Sequence, residues 1–224
     1  MAKARAIIAS YVGVLVYASL VFIGAWKLVY GQGLLYVVLA LIGTTLSHVL
    51  VPPGSEITAN RAREAQAGQT RDRRLLGALF IVNVVTFVTA GLDSGRFGWS
   101  GRVPLVVTVF GAVLMLAGQA IFALAKRQNE FFSSTVRIQT ERGHRVSDKG
   151  LYASVRHPGY LGMLMSSLAF PLVMDSYWAL IPALLGAAVL VVRTALEDRF
   201  LTGELPGYAE YAARTRWRLV PGVF

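Results

Sequence analysis

The chain has 224 residues, 55% of them hydrophobic and 15% charged, with a mean hydropathy of +0.55. An ordinary soluble domain carries roughly a quarter charged residues, so this composition sets a disordered chain aside and argues against a soluble globular enzyme. Cysteine is absent, which excludes disulfides, thiolate metal sites, a cysteine nucleophile and lipidation on cysteine. The formal net charge of +10 is read as the Lys and Arg excess of cytoplasmic membrane-protein loops rather than as a nucleic-acid-binding surface.

Four apolar runs, 7–30, 34–51, 75–91 and 103–125, are each of the length needed to cross a hydrocarbon core of about 30 Å. Two shorter runs follow at 161–174 and 177–192, separated by Asp175 and Ser176, and read as a tight helical hairpin. Pro158 suits the first turn of the fifth helix, where its missing N–H costs nothing, and so lengthens that span. The expectation is an all-α polytopic membrane protein with about six transmembrane helices. The first run is too long for a signal-peptide core and no clear small-residue cleavage site follows it, so it is read as an anchor.

With both termini inside, 19 Lys and Arg fall on the cytoplasmic side and 3 on the other, an asymmetry that sets orientation in the cell membrane. Residues 52–74, 126–159 and 193–224 then share the cytoplasmic face. The first of these, with Arg61, Arg63, Arg71, Arg73 and Arg74 against Glu56, Glu64 and Asp72, reads as a solvated or headgroup-facing loop with a short helix over 59–67. Trp26, Trp99, Tyr177 and Trp178 lie near span ends, where amphipathic rings favour the interface. His48, Asn83 and Gln119 are polar residues inside spans, and read as hydrogen-bonded to neighbouring helices or snorkelling. Internal repeats, a P-loop and a dinucleotide fingerprint are missing from the sequence.

Chemistry-bearing residues concentrate in the fourth loop and the final segment. Arg156 and His157 immediately precede a proline that opens a helix, so their cationic or donor groups and the helix N-terminus converge on an anion such as a carboxylate or phosphate. Arg193 and Glu197, four apart on one helical face, form either an i,i+4 salt bridge or part of a site. Tyr208 and Tyr211 are three apart on a short amphipathic helix.

The pattern G-x-Y-x-x-x-R-H-P-x-Y-x-G at 150–162, followed by a helical hairpin, Arg193, the Glu197–Asp198 acidic pair and the Gly207, Tyr208 and Tyr211 element, resembles the isoprenylcysteine carboxyl methyltransferase family. That family belongs to a wider group of integral membrane methyltransferases that includes phospholipid N-methyltransferases and bacterial thiol methyltransferases. The resemblance runs from Asn129, Glu130, Phe131 and Phe132 to Phe224. It implies an N-terminal four-helix region, 1–125, that shapes acceptor access, and a methyltransferase core, 126–224, with a cytoplasmic C-terminal cofactor-binding region.

The cofactor implied is S-adenosylmethionine, with no metal, and the acceptor is a lipophilic or membrane-partitioned molecule that enters from the bilayer. Carried over residue by residue, His144, Tyr152, Arg156, His157, Pro158, Tyr160, Glu197, Tyr208 and Tyr211 form the cofactor pocket, while Arg193 and Glu197 face the transfer site as catalytic residues. Arg156 or His157 suits the cofactor carboxylate, Glu197 suits the ribose hydroxyls, and tyrosine rings suit the sulfonium. For a carboxylate acceptor Arg193 provides orientation; for a thiol or lipid amine, Glu197 or His157 takes the proton. The acceptor type stays open at this stage. An NADPH-dependent membrane reductase of sterol-like or enone lipids is the alternative, because such enzymes carry a similar R-H-P-x-Y-x-G turn; an acidic residue is expected after their final glycine, where this chain has Met163. A transporter would need a paired ionisable path across the membrane, which the sequence does not offer.

Overall fold

The computed structural model describes residues 2–51 and 70–224. The expected short helix over 59–67, and with it most of the 52–74 loop, lies outside the described residues. The described chain is helical, with α1 at Ala2–Ala25, α2 at Gly31–Leu50 and α3 at Thr70–Ala90, which continues as a π-helical stretch through Gly91–Phe97. Next come α4 at Leu105–Gln128, single 3₁₀ turns at Thr140–Arg142 and Gly150–Ala153, α5 at Pro158–Val173, α6 at Leu180–Glu204 and α7 at Tyr208–Arg214. Among the described residues no strand forms; one isolated parallel bridge joins Val155 to Trp217.

Five described helices are long and apolar enough to cross a membrane: α1, α2, α3 with its π-helical end, α4 and α6. Ile8, Leu15, Phe80, Leu105, Phe110 and Leu184 on these helices point outward, as expected where the surrounding solvent is lipid rather than water. The protein is an integral membrane protein. The expectation of about six spans needs two corrections. Helix α5 has only 16 residues, roughly 24 Å of rise, and falls short of the other five. Helix α6 does not stop at 192 where charge begins but runs to Glu204, because two of the charges that seemed to end it, Arg193 and Asp198, are buried and paired.

Hydrogen bonds define the two ends of the bundle. At one end, the start of α2, the end of α3, the start of α4 and the turn after α5 meet. Asp175 accepts from Gln32 Nε2 at 2.9 Å and from Thr108 Oγ1. Fully buried Asp93 accepts from the Ser100 amide at 2.8 Å and from the Ser176 hydroxyl at 2.6 Å. At the other end, the start of α3, the end of α4, the start of α5 and the end of α6 gather the 129–157 loop and the C-terminal segment. Alternating helix direction thus brings the described parts of the polar segments to one end, as the charge pattern requires.

Between the ends, stacked Phe87 and Phe170, with ring centroids 4.0 Å apart, and edge-on Tyr36 join α2, α3 and α5. The most extensive helix contact is between α4 and α5. A Cβ on Gly118 would lie 2.7 Å from the Gly162 carbonyl oxygen, and one on Gly162 would lie 2.5 Å from that of Gly118. Small residues at such crossings let membrane helices pack backbone to backbone, and this contact fixes where the Arg156-His157-Pro158 turn sits. Either Gly118→Ala or Gly162→Ala is expected to cost about 1–3 kcal/mol and to lower the thermal unfolding midpoint in detergent; an unchanged midpoint in both variants would refute the close crossing.

Candidate functional site

The site is organised around a carboxylate. Asp198, buried in the last turns of α6, accepts from five donors. Arg156 grips it side-on, Nε to Oδ1 at 2.8 Å and Nη2 to Oδ2 at 2.9 Å. Tyr208 Oη donates to Oδ1 at 3.0 Å, Arg218 Nε to Oδ2 at 2.8 Å, and His157 Nε2 lies 3.2 Å from Oδ1. An ionised carboxylate only accepts, so His157 carries its proton on Nε2. Arg156 Nη1 is consumed by the carbonyl oxygens of Ala212 at 3.1 Å and Thr215 at 3.0 Å. The amides of Arg156 and His157 donate to the carbonyls of Trp217 and Arg218, both at 2.9 Å. The turn before α5, the end of α6, α7 and the final segment are therefore one hydrogen-bonded unit.

Against this unit lies a cavity of about 100 Å³. Of the ten residues named from the sequence, eight line it: His144, Tyr152, Arg156, His157, Tyr160, Glu197, Tyr208 and Tyr211. Pro158 is buried at the first position of α5 and sets the turn instead of lining the cavity. Arg193 is also absent from the lining: its guanidinium holds Asp72 of α3, Nε to Oδ1 at 2.8 Å, and donates from Nη2 to the Ser134 carbonyl at 2.7 Å. The Arg193–Glu197 salt bridge considered from spacing gives way to Arg193–Asp72, while Glu197 accepts from the Tyr160 hydroxyl. Arg193 and Glu197 still meet in an adjoining groove with Asp72 and Val136, and the Arg193 guanidinium stands 5.1 Å from the centre of the Tyr160 ring.

The loop over 129–147 forms a wall of the cavity. Its Val136 amide donates to Asp72 Oδ2 at 3.0 Å, which ties the wall to α3. Gln139 is buried, donating to the Phe131 carbonyl at 2.7 Å and accepting from Arg142 at 2.6 Å. His144 stacks on Phe131 and accepts the Gln139 amide on Nδ1. Burial, reinforced by the charges of Arg142 and Arg137, lowers the His144 pKa below its ordinary 6.5. Tyr152, Tyr208 and Tyr211 have their pKa values raised, in each case mainly by burial, so all three are neutral hydroxyl-bearing rings. Sequence reasoning gave no role to Asp198, Asp72, Arg137 or Arg218. Only Asp198 left a signal, as the second member of an acidic pair at the end of an apolar run.

A second cavity, about 210 Å³, lies deeper among the spans, walled by Tyr36, Met115, Met163 and Phe170 and carrying Asn83 and Gln119. Asn83 donates to the Leu79 carbonyl at 2.8 Å, and the Gln119 side chain packs on Gly43. His48 instead stands beside Tyr11 with ring centroids 5.8 Å apart.

Residues 106–203 match the Isoprenylcysteine carboxyl methyltransferase (ICMT) family. The matched stretch makes up less than half of the chain. The match takes in α4, α5 and most of α6, with the Arg156-His157-Pro158 turn, Tyr160, Arg193, Glu197 and Asp198; it starts earlier than the resemblance read from the motifs and stops before Gly207. The chain is also 34% identical over 146 residues to the cobalt-zinc-cadmium resistance protein CzcN of Cupriavidus metallidurans, an alignment that covers 59% of this chain and 58% of that protein.

Two predictions follow from the charges. Asp198→Ala leaves the buried Arg156 guanidinium without its carboxylate and is expected to cost about 3–5 kcal/mol, read as a large fall in the unfolding midpoint; a wild-type midpoint would show that Asp198 does not organise this end. For His144, a folded pKa below 6.5 means the unfolded chain binds more protons as pH falls. Its contribution is complete above pH 6.5 and is lost below it, down to the folded value. The midpoint difference between pH 7.5 and pH 5.5 should therefore shrink in His144→Gln, and an identical difference would exclude this group as a source.

Proposed function

We propose that this protein transfers a methyl group from S-adenosylmethionine to a lipophilic, membrane-partitioned acceptor, at the end of the bundle that holds the C-terminal segment. The observation that carries the reading is the convergence, in one cavity, of the eight residues named above, of which Asp198 holds Arg156, His157 and Tyr208 and most lie within the ICMT-matched stretch. That end is assigned to the cytoplasmic face from the Lys and Arg asymmetry, with both termini inside. Residues 126–224 form the methyltransferase core and 1–125 shape acceptor access, the deeper cavity beside Asn83 and Gln119 serving the apolar body of the acceptor.

The residues present fit the cofactor. Neutral tyrosine rings, Tyr152, Tyr208 and Tyr211, surround a space that a sulfonium favours, Glu197 supplies an acceptor for ribose hydroxyls, and the wall contains guanidinium N–H groups of Arg137 that have no partner among the described residues. When bound, S-adenosylmethionine supplies an electrophilic methyl group. The chain's own contribution is alignment and exclusion of water. Tyr160 and Glu197 hold each other between the cavity and the adjoining groove, so Glu197 is placed to take a proton from a thiol or amine acceptor. For a carboxylate acceptor, such as that of an isoprenylcysteine, Arg193 orients it by its charge from beside Tyr160. His157 and Arg156 serve the pocket by fixing its floor through Asp198.

Calorimetric titration of the detergent-purified protein with S-adenosylhomocysteine, with NADPH in parallel, tests the reading. Saturable binding of S-adenosylhomocysteine alone is expected; binding of NADPH alone would replace it with the reductase.

A further inference from the structure

The side-on edge of an arginine, formed by the N–H groups of Nε and Nη2, matches the two oxygens of a carboxylate. Three arginines near the site can be compared by what fills that edge. Arg156 presents it to Asp198, at 2.8 and 2.9 Å. Arg193 presents it to Asp72, at 2.8 and 3.3 Å. In Arg137 the same two atoms, Nε and Nη2, are buried and have no hydrogen-bond partner among the described residues. Its one carboxylate contact, Glu141, takes the remaining nitrogen, Nη1, at 2.8 Å from a half-exposed position.

An unfilled charged donor pair is costly when buried, and an arginine cannot escape the cost by losing its proton. Arg137 lines the cavity together with His144, Tyr152, Glu197 and Tyr208. Its position is also fixed in advance. The preceding residue, Val136, donates its amide to Asp72, and Ser134 is held through its carbonyl by Arg193. The loop is thereby pinned to α3 and α6 before any ligand arrives.

We propose that the Nε and Nη2 edge of Arg137 is the carboxylate-binding element of this cavity, and that the group it binds is the carboxylate at the amino-acid end of S-adenosylmethionine. The assignment rests on the methyltransferase reading above. It moves this role away from Arg156, the arginine that the sequence offered for it, whose edge is filled by Asp198 and whose Nη1 is spent on carbonyls. A ligand carboxylate brought to Arg156 would stand against the Asp198 carboxylate, whereas at Arg137 it completes a fork with no acceptor. His144 is neutral on the same wall and Arg145 spends its Nε and Nη2 on Glu130, which leaves Arg137 as the charge that selects an anion there.

The test titrates two nucleosides into wild type, Arg137→Gln and Arg137→Lys. S-adenosylhomocysteine carries the carboxylate; 5′-methylthioadenosine keeps the adenosine and the thioether but lacks it. Arg137→Gln should bind S-adenosylhomocysteine about 10- to 100-fold more weakly and 5′-methylthioadenosine as wild type does, which also reports an intact pocket. Arg137→Lys, with the charge but not the fork, should fall between the two. Unchanged S-adenosylhomocysteine affinity in Arg137→Gln, or equal weakening of both nucleosides, would overturn the assignment. Wild type binding neither nucleoside would instead overturn the methyltransferase reading on which it rests.

Discussion

The carboxylate of Asp198 is the constraint on which the rest of the site depends. It sits in a helix long and apolar enough to cross a membrane, and a buried charge in that setting persists only if it is paired and hydrogen-bonded. The pairing is supplied by residues distant in sequence: Arg156 and His157 before α5, Tyr208 on α7 and Arg218 in the last residues. Three segments that lack enough apolar surface to form a core of their own are thereby gathered onto α6. The cavity is the space left against this cluster.

A second ion pair, Asp72 with Arg193, does similar work one step away. It ties α3 to α6, and through Val136 and Ser134 it also ties down the loop that walls the cavity. Both acids thus act as receivers of backbone or side-chain donors from otherwise irregular chain. This division separates the arginines that hold the protein together from Arg137, whose fork has no partner among the described residues. It also explains how α6 stays helical past the point where its sequence turns polar.

Close backbone contact sets the remaining geometry. Gly118 and Gly162 bring α4 and α5 together with no side chain between them, so the short α5 is carried by the full-length α4. The motif's last glycine therefore serves packing, its proline serves the helix start and its arginine serves the Asp198 cluster, while Tyr160 and His157 face the cavity. At the opposite end, Asp93 and Asp175 bind serine, threonine and glutamine donors and close the bundle without arginine.

The sequence by itself determined the membrane character, most of the spans and the gathering of the polar segments at one end, because hydropathy over some twenty residues and the Lys and Arg asymmetry are properties of local composition. The family resemblance carried by the ordered motifs was enough to nominate eight residues that line one cavity. Only the tertiary structure decided which charges pair. Arg193 and Glu197 are neighbours on one helical face, yet Arg193 turns to Asp72, 121 positions away, and Arg156 turns to Asp198, 42 positions away. Such pairing is set by how the helices pack, and spacing along the chain carries no record of it. For the same reason Arg137, one basic residue among seven in its loop, could be proposed as a ligand-binding group only once Asp198 was seen on Arg156, Asp72 on Arg193 and Glu141 on the Nη1 of Arg137 alone.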